Sequence, residues 1–265
     1  MVVSESDPAS KTMSLYLEKE QNFSPSNQEN IFYSNLYDNI VLYKSGTQSI
    51  YAEDLDNKVP NTKFFIFLSK HASNTKHPSL TCHFTGNFQN NYYGGSPGEL
   101  GITYPSLQKA YLQHINKFKD DLQSFDITIE ATHHGPTTLK KPVIFIEIGS
   151  TEREWNNIDI ASIVCKSIIT IISNPLHHKK NIAIGLGGNH YGSKFTSLLL
   201  NSDIALSHIS SKYNLGSINE SLLNQMITKC YEKTTHIIID SKGLGKERQR
   251  ILNLINNRGL EVIKL

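Results

Sequence analysis

The sequence predicts an α/β fold: a single domain over residues 1–265 with a mixed, partly parallel central sheet flanked by helices. Three observations carry this. Short apolar runs rich in β-branched and aromatic residues, such as Phe64–Leu68 (FFIFL) and Val143–Ile148 (VIFIEI), are too short for helices and read as buried strands. In the second half, such runs alternate with stretches of helical periodicity. Two runs end in loops rich in glycine and histidine: Ile182–Tyr191 (IAIGLGGNHY) and Ile127–Thr138 (ITIEATHHGPTT). Open α/β sheets place their reactive groups beyond strand ends in this way.

The elements follow in order. Met1–Ser4 is a short first strand. Asp7-Pro8 pairs an N-cap with a proline at the first helical position, and a helix to about Glu20 buries Ala9, Met13 and Tyr16 or Leu17. Gln21–Asn30 is polar and reads as a loop. Ile40–Tyr43 and Gln48–Tyr51 flank Ser45-Gly46-Thr47, a hairpin pattern. Leu80–Phe84 alternates, with Thr81, His83 and Thr85 on one face and Leu80, Cys82 and Phe84 on the other. Asn90–Gly98 is a loop, and Pro105–Leu122 carries a helical stripe. Asp126–Thr132 alternates again, with Thr128, Glu130 and Thr132 on its polar side. Thr151 and Glu154 match a capping box that opens a helix ending at Asn174-Pro175. Helices over Lys194–Leu200, Ile218–Tyr231 and Lys246–Asn256 then separate strands at Ile204–Ile209, His236–Asp240 and Glu261–Leu265.

Bulk properties narrow the class. A chain of 265 residues with 38% hydrophobic content buries a full core. Its 26 basic and 24 acidic residues nearly balance, so charge neither demands nor excludes a nucleic-acid partner. Three scattered cysteines, Cys82, Cys165 and Cys230, form neither a CxxC nor a disulfide framework, as expected in a reducing compartment. The N-terminus lacks a signal peptide and no window approaches a membrane span. The expectation is a cytoplasmic monomer with no membrane association.

The eleven histidines are the informative residues. His71, His133, His134 and His190 fall just after predicted strands, and Glu147 lies near the end of one, so they would converge if those strands run parallel. His190 follows Gly187-Gly188; the glycines serve either a tight turn or a close approach to a ligand. His133 and His134 point opposite ways if the strand continues. Glu147 interrupts an apolar run and needs a histidine, lysine or metal partner if buried. His83 reads as a pocket wall or a wet surface. His208 reads as a satisfied core histidine, and His177-His178 as an exposed turn or a phosphate contact. His77, His114 and His236 read as structural. HExxH, CxxC, GxSxG and Walker patterns are absent, and GLGGNH does not fit GxGxxG. Any metal site must therefore be assembled from distant histidines and carboxylates.

The pair THHGPT (Thr132–Thr137) and GGNHY (Gly187–Tyr191) resembles the archaeal and plant type of D-aminoacyl-tRNA deacylase. Other pieces match in order: SESDPAS (Ser4–Ser10), IYAEDLD (Ile50–Asp56), SKHAS (Ser69–Ser73), SLTCHFTGNF (Ser79–Phe88), EIGSTEREW (Glu147–Trp155) and LSHISSKY (Leu206–Tyr213). The common family form has arginine where this chain has Lys70, which keeps the charge but not bidentate pairing. The resemblance implies a fold related to peptidyl-tRNA hydrolases and nucleoside phosphorylases. It implies hydrolysis of the ester joining a D-amino acid to the 3′ end of tRNA, with zinc as cofactor and aminoacyl-tRNA as partner. The candidate catalytic residues are His190, His134, His133 and Glu147. Ser69, Lys70, His71, Gly187, Gly188, Asn189, Tyr191 and Thr137 are candidates for substrate binding, the Gly187-Gly188 amides as oxyanion donors. His71, His83, His134 and His190 are the candidate metal ligands. Lys140, Lys141, Lys179, Lys180, Lys242, Lys246, Arg248 and Arg250 either hold the acceptor arm or are ordinary solvated charges. The alternatives are a peptidyl-tRNA hydrolase-like or nucleoside-directed enzyme, or a non-catalytic tRNA-binding protein.

Overall fold

The computed structural model describes Met1–Leu265. Twelve strands and eight α-helices follow in order: β1 (Val2–Ser4), α1 (Pro8–Glu20), β2 (Phe23–Pro25), β3 (Ile31–Ser34), β4 (Val41–Ser45), α2 (Leu55–Lys58), β5 (Phe65–Ala72), β6 (Ser79–His83), α3 (Pro105–Ile115), β7 (Asp126–Ile129), β8 (Val143–Ser150), α4 (Glu152–Trp155), α5 (Ile158–Ile172), β9 (Asn181–Leu186), α6 (Ser193–Asn201), β10 (Ile204–Ser210), α7 (Glu220–Thr228), β11 (His236–Ile239), α8 (Arg248–Ile255) and β12 (Glu261–Lys264). Eight strands form a mixed sheet in the order β2-β3-β4-β1-β5-β8-β6-β7, as the patterning predicts. The other four form a second, all-parallel sheet in the order β10-β9-β11-β12. The single central sheet expected from sequence is thus two sheets. Helix α5 separates them in the chain, and one hydrophobic core joins them, with Ile66 and Ile146 of the first continuous with Leu206 and Ile238 of the second.

Three local expectations change. Gln21–Asn30 contains β2, which with β3 extends the sheet's edge. The hairpin around Ser45-Gly46-Thr47 does not form, because β3 and β1 already occupy both edges of β4. Ser4 Oγ instead donates to the Thr47 carbonyl (2.9 Å), and Ser49–Tyr51 is a 3₁₀ turn. The capping box at Thr151 does form, but it opens only the one-turn α4; Asn157 then caps α5 through the amides of Asp159 and Ile160. The stripe expected over Pro105–Leu122 is α-helical only to Ile115, followed by a 3₁₀ turn.

The register of the central strands positions the site. Ser69 of β5 pairs with Glu147 of β8, and on its other side Glu147 pairs with Thr81 of β6. Since side chains alternate along strands, Phe67, Ser69 and His71 share a face with Phe145, Glu147, Thr81 and His83. The opposite face, carrying Ile66, Leu68, Ile146, Ile148, Leu80 and Cys82, packs in the core with α1, α3 and α5 residues. Phe67 and Phe145 stack with ring centroids 4.6 Å apart and floor the polar end of the first face.

Candidate active site

Two loops close over this face. After β7 the chain continues through Glu130 to His134, and the loop after β9 delivers His190 and Tyr191. They are stitched together: the Ala131 amide donates to the His190 carbonyl (2.8 Å), and Glu130 and Tyr191 form an antiparallel bridge. Gly187 and Gly188 make the turn into this loop with left-handed backbone, φ 98° and 77°. A Cβ on Gly187 would stand 2.8 Å from the Asp240 carbonyl oxygen. On the other loop, a Cβ on Gly135 would meet the Gly95 nitrogen at 2.3 Å. Glu53 clamps the continuation, accepting from the Thr137 and Thr138 amides at 2.9 Å and from the Thr138 hydroxyl at 2.6 Å.

The resulting cleft, about 620 Å³, includes Ser69, Lys70, His71, Glu130, His133, His134, Glu147, His190 and Tyr191 among its walls. Its centre is Glu130, which is 2% exposed. His190 Nε2 donates to Glu130 Oε2 at 2.7 Å. His71 Nδ1 lies 3.1 Å from Glu130 Oε1 and 3.4 Å from Glu147 Oε2. Burial alone would raise both carboxylates. The hydrogen bonds from His190 and His71 outweigh it at Glu130, whose pKa falls well below the usual range. The neighbouring His71 and His83 likewise lower Glu147. For His71, burial disfavours the charge, but the two carboxylates prevail and push it up to about 11. His71 is therefore an imidazolium, and its Nε2 donates to the Tyr191 hydroxyl at 2.8 Å.

Three histidines behave differently. His83, His133 and His134 each direct Nδ1 at a backbone carbonyl: Phe84 at 3.2 Å, Ala131 at 2.8 Å and Gly135 at 2.7 Å. With the proton on Nδ1, His133 and His134 keep a lone pair on Nε2; at His83 burial opposes the charge, but the neighbouring Glu147 outweighs it and raises the pKa. The three rings supply ligand atoms within 4.8 Å of one another. Burial, then the neighbouring His83, lowers His133 well below the ordinary value and His134 to about 4. The buried His83 Nε2 has no hydrogen-bond partner, and Glu147 Oε1 stands 3.8 Å away. Three imidazoles with Nδ1 directed at carbonyls and ligand atoms that converge form a donor set of the kind zinc takes. His134 has left-handed backbone (φ 43°), which is rare outside glycine.

Several candidates change role. The candidate metal ligands His71, His83, His134 and His190 do not form one cluster: His83 and His134 converge with His133, His190 with Glu130 and His133, and His71 with Glu130 and Glu147. Gly187, Gly188, Asn189 and Thr137 do not line the cleft. The Gly187 amide already donates to the Ser210 carbonyl (2.9 Å), so it is no oxyanion donor. Thr137 is buried and pins the Asn90–Gly98 loop by accepting from the Ser96 amide (2.8 Å). Ser69 and the Lys70 amide both donate to Asp7, the cap of α1, and the Lys70 ammonium lies over the Trp155 ring. Among the basic candidates, Lys141 donates to the Pro60 carbonyl (2.7 Å) and Arg250 to the Ile218 carbonyl (2.6 Å) and Glu247 (2.7 Å). Glu130 went unread in the sequence because it alternates with apolar residues like a solvent-facing position. A carboxylate at the end of a strand and three residues before His133 is the signal that marks it.

Residues 59–263 match the sequence profile described as D-aminoacyl-tRNA deacylase. The D-aminoacyl-tRNA deacylase of Cenarchaeum symbiosum is 38% identical over 199 residues, 75% of this chain and 76% of that protein. The chain belongs to the D-aminoacyl-tRNA deacylase family. The relative of the same description from Methanococcus maripaludis strain C7 is 35% identical over 257 residues, 94% of this chain and 92% of its own. The crystal structure of a conserved protein of unknown function superposes with a TM-score of 0.91 at 28% identity, covering 99% of this chain and 93% of that one. The family's match thus spans both loops of the cleft. No helix is long and apolar enough to cross a membrane.

His208 lies outside the cleft and is fully buried, with Nε2 donating to the Gly101 carbonyl (3.0 Å) and Nδ1 accepting from the Thr132 hydroxyl (3.2 Å). Burial lowers its pKa to about 3. Between that value and the unfolded value near 6.5, only the unfolded chain takes the proton, so stability is lost as pH falls below about 6.5. Gln at this position keeps a donor for the Gly101 carbonyl and does not titrate. Urea unfolding of His208→Gln from pH 6 to pH 4 should therefore fall less steeply than wild type, by roughly 1.4 kcal/mol per pH unit. Equal slopes would show that His208 is protonated in the fold.

Proposed function

We propose that the chain hydrolyses the ester bond of D-aminoacyl-tRNA in this cleft, releasing the D-amino acid and free tRNA. The observation that carries the reading is the 2.7 Å contact between His190 and the buried Glu130, in a cleft that His133 and His134 also line and the buried His83 backs. An aminoacyl ester is already activated, so a positioned base and an oxyanion donor supply most of what its hydrolysis needs.

Glu130 fixes His190 with its proton on Nε2, leaving Nδ1 as the basic nitrogen, and it stabilises the imidazolium that forms. His190 takes a proton from water as the oxygen attacks the ester carbonyl carbon. The Tyr191 hydroxyl accepts from the His71 imidazolium and donates its own hydrogen to the developing oxyanion. When the tetrahedral species collapses, the C–O bond to the ribose breaks and His190 returns the proton to the ribose oxygen. His83, His133 and His134 would hold zinc, with the unpartnered Nε2 of His83 as its buried ligand. When bound, zinc supplies Lewis acidity that lowers the pKa of water towards 7. Lys70 stands at the cleft wall to meet the phosphates of the tRNA 3′ end.

Glu130→Gln keeps the shape but not the charge. Single-turnover deacylation of D-Tyr-tRNA should slow by roughly 10²- to 10⁴-fold, with L-Tyr-tRNA spared by wild type and variant alike. Activity near wild type in a folded Glu130→Gln protein would refute the His190–Glu130 assignment.

Zinc binding tests the histidine set separately. Titration calorimetry on metal-free protein should show one site per chain, weakened on the order of 100-fold or more by His83→Gln or His134→Gln. Chelation should abolish deacylation and zinc should restore it. An unaltered zinc affinity in both variants would remove the metal from this position.

A further inference from the structure

A second cavity adjoins the cleft, and nothing in the reaction described above uses it. It has a volume of about 670 Å³ and shares only His71, Ser73 and Tyr191 with the catalytic cleft. The 2.8 Å His71–Tyr191 hydrogen bond is therefore the partition between the two. One face of α6 lines the second cavity: Ser193, Thr196, Ser197 and Leu200 recur at helical spacing. Ser79 and Thr128 face them from the ends of β6 and β7.

The chemistry of the two cavities differs. The catalytic cleft carries Lys70, Asp7 and the His/Glu centre, whereas the second cavity has no lysine or arginine in its wall. Its one carboxylate outside the partition, Asp126, is paired with His77 at 3.1 Å on the exposed rim. Most of its hydroxyls are already engaged: Thr128 with Thr196 at 3.0 Å, and Ser150 with the His77 carbonyl at 2.8 Å. Ser79 is 6% exposed and its Oγ has no partner. The one cation in the wall, the His71 imidazolium, is already held between Glu130 and Glu147, so the walls offer a phosphate or carboxylate no free counter-charge but suit methylenes, rings and a lone hydroxyl or amide.

Resting on the deacylase reading, we propose that this cavity is the subsite for the side chain of the D-amino acid, with the nucleotide end in the Lys70 cleft and the ester carbonyl at the His71–Tyr191 partition. The subsite admits large uncharged side chains and disfavours acidic ones, and the exposed α6 face sets the size limit.

The test measures kcat/KM for D-Tyr-, D-Ala-, D-Glu- and D-Gln-tRNA with full-length, zinc-loaded protein. Ser197→Trp, which fills the cavity from an exposed helix position, should lower the Tyr/Ala selectivity ratio by about 30-fold. Ser197→Arg should raise the Glu/Gln ratio by about tenfold, a gain that loss of folding does not mimic. If Ser197→Trp does not fold, Ser193→Phe on the same helix face replaces it. Ratios that stay fixed in folded variants, while wild type remains active, overturn the subsite alone. Wild type inactive on every substrate overturns the deacylase reading and the subsite with it.

Discussion

The site depends on one buried carboxylate being shared between two sheets. Glu130 reaches His71 on the large sheet and His190 on the loop that leaves the small sheet. Burying that charge in isolation would cost several kcal/mol, so the carboxylate persists because His190 donates to it and the His71 imidazolium pairs with it. The same bonds give the two imidazoles opposite characters. His71, between two carboxylates, is held as a cation. His190, with one carboxylate and half its side chain towards solvent, is held in a single tautomer.

The other three histidines complete a division of labour by hydrogen-bond partner. Those that face carboxylates manage charge and protons. Those that direct Nδ1 at backbone carbonyls bring their ring nitrogens within 4.8 Å of one another. Adjacent residues reach the same cluster because the left-handed backbone at His134 breaks the strand alternation. His133 and His134 thereby stand side by side, ring centroids 4.5 Å apart, rather than on opposite faces.

Much of this was legible in the sequence. Apolar runs and capping residues located most strands and helices, and the placing of His71, His133, His134, Glu147 and His190 after or near strand ends anticipated the cleft. Three features were not legible, each for a physical reason. Short β2 and β3 owe their existence to the edge they complete. Splitting the strands into two sheets is a matter of pairing between distant segments, which periodicity does not encode. The ligand set was misassembled because a histidine's fitness as a ligand depends on its protonation. Here Glu130 and Glu147 set that state for His71, and Glu130 reads as a surface residue on its own strand.

The charge and tautomer states around Glu130 are most directly measured by ¹⁵N NMR of the histidine side chains in metal-free protein. The account predicts that His71 carries both ring protons at pH 9, consistent with its pKa near 11, while His190 carries its proton on Nε2 alone. A His71 that loses its second proton between pH 6 and pH 8, or a His190 protonated only on Nδ1, would contradict it.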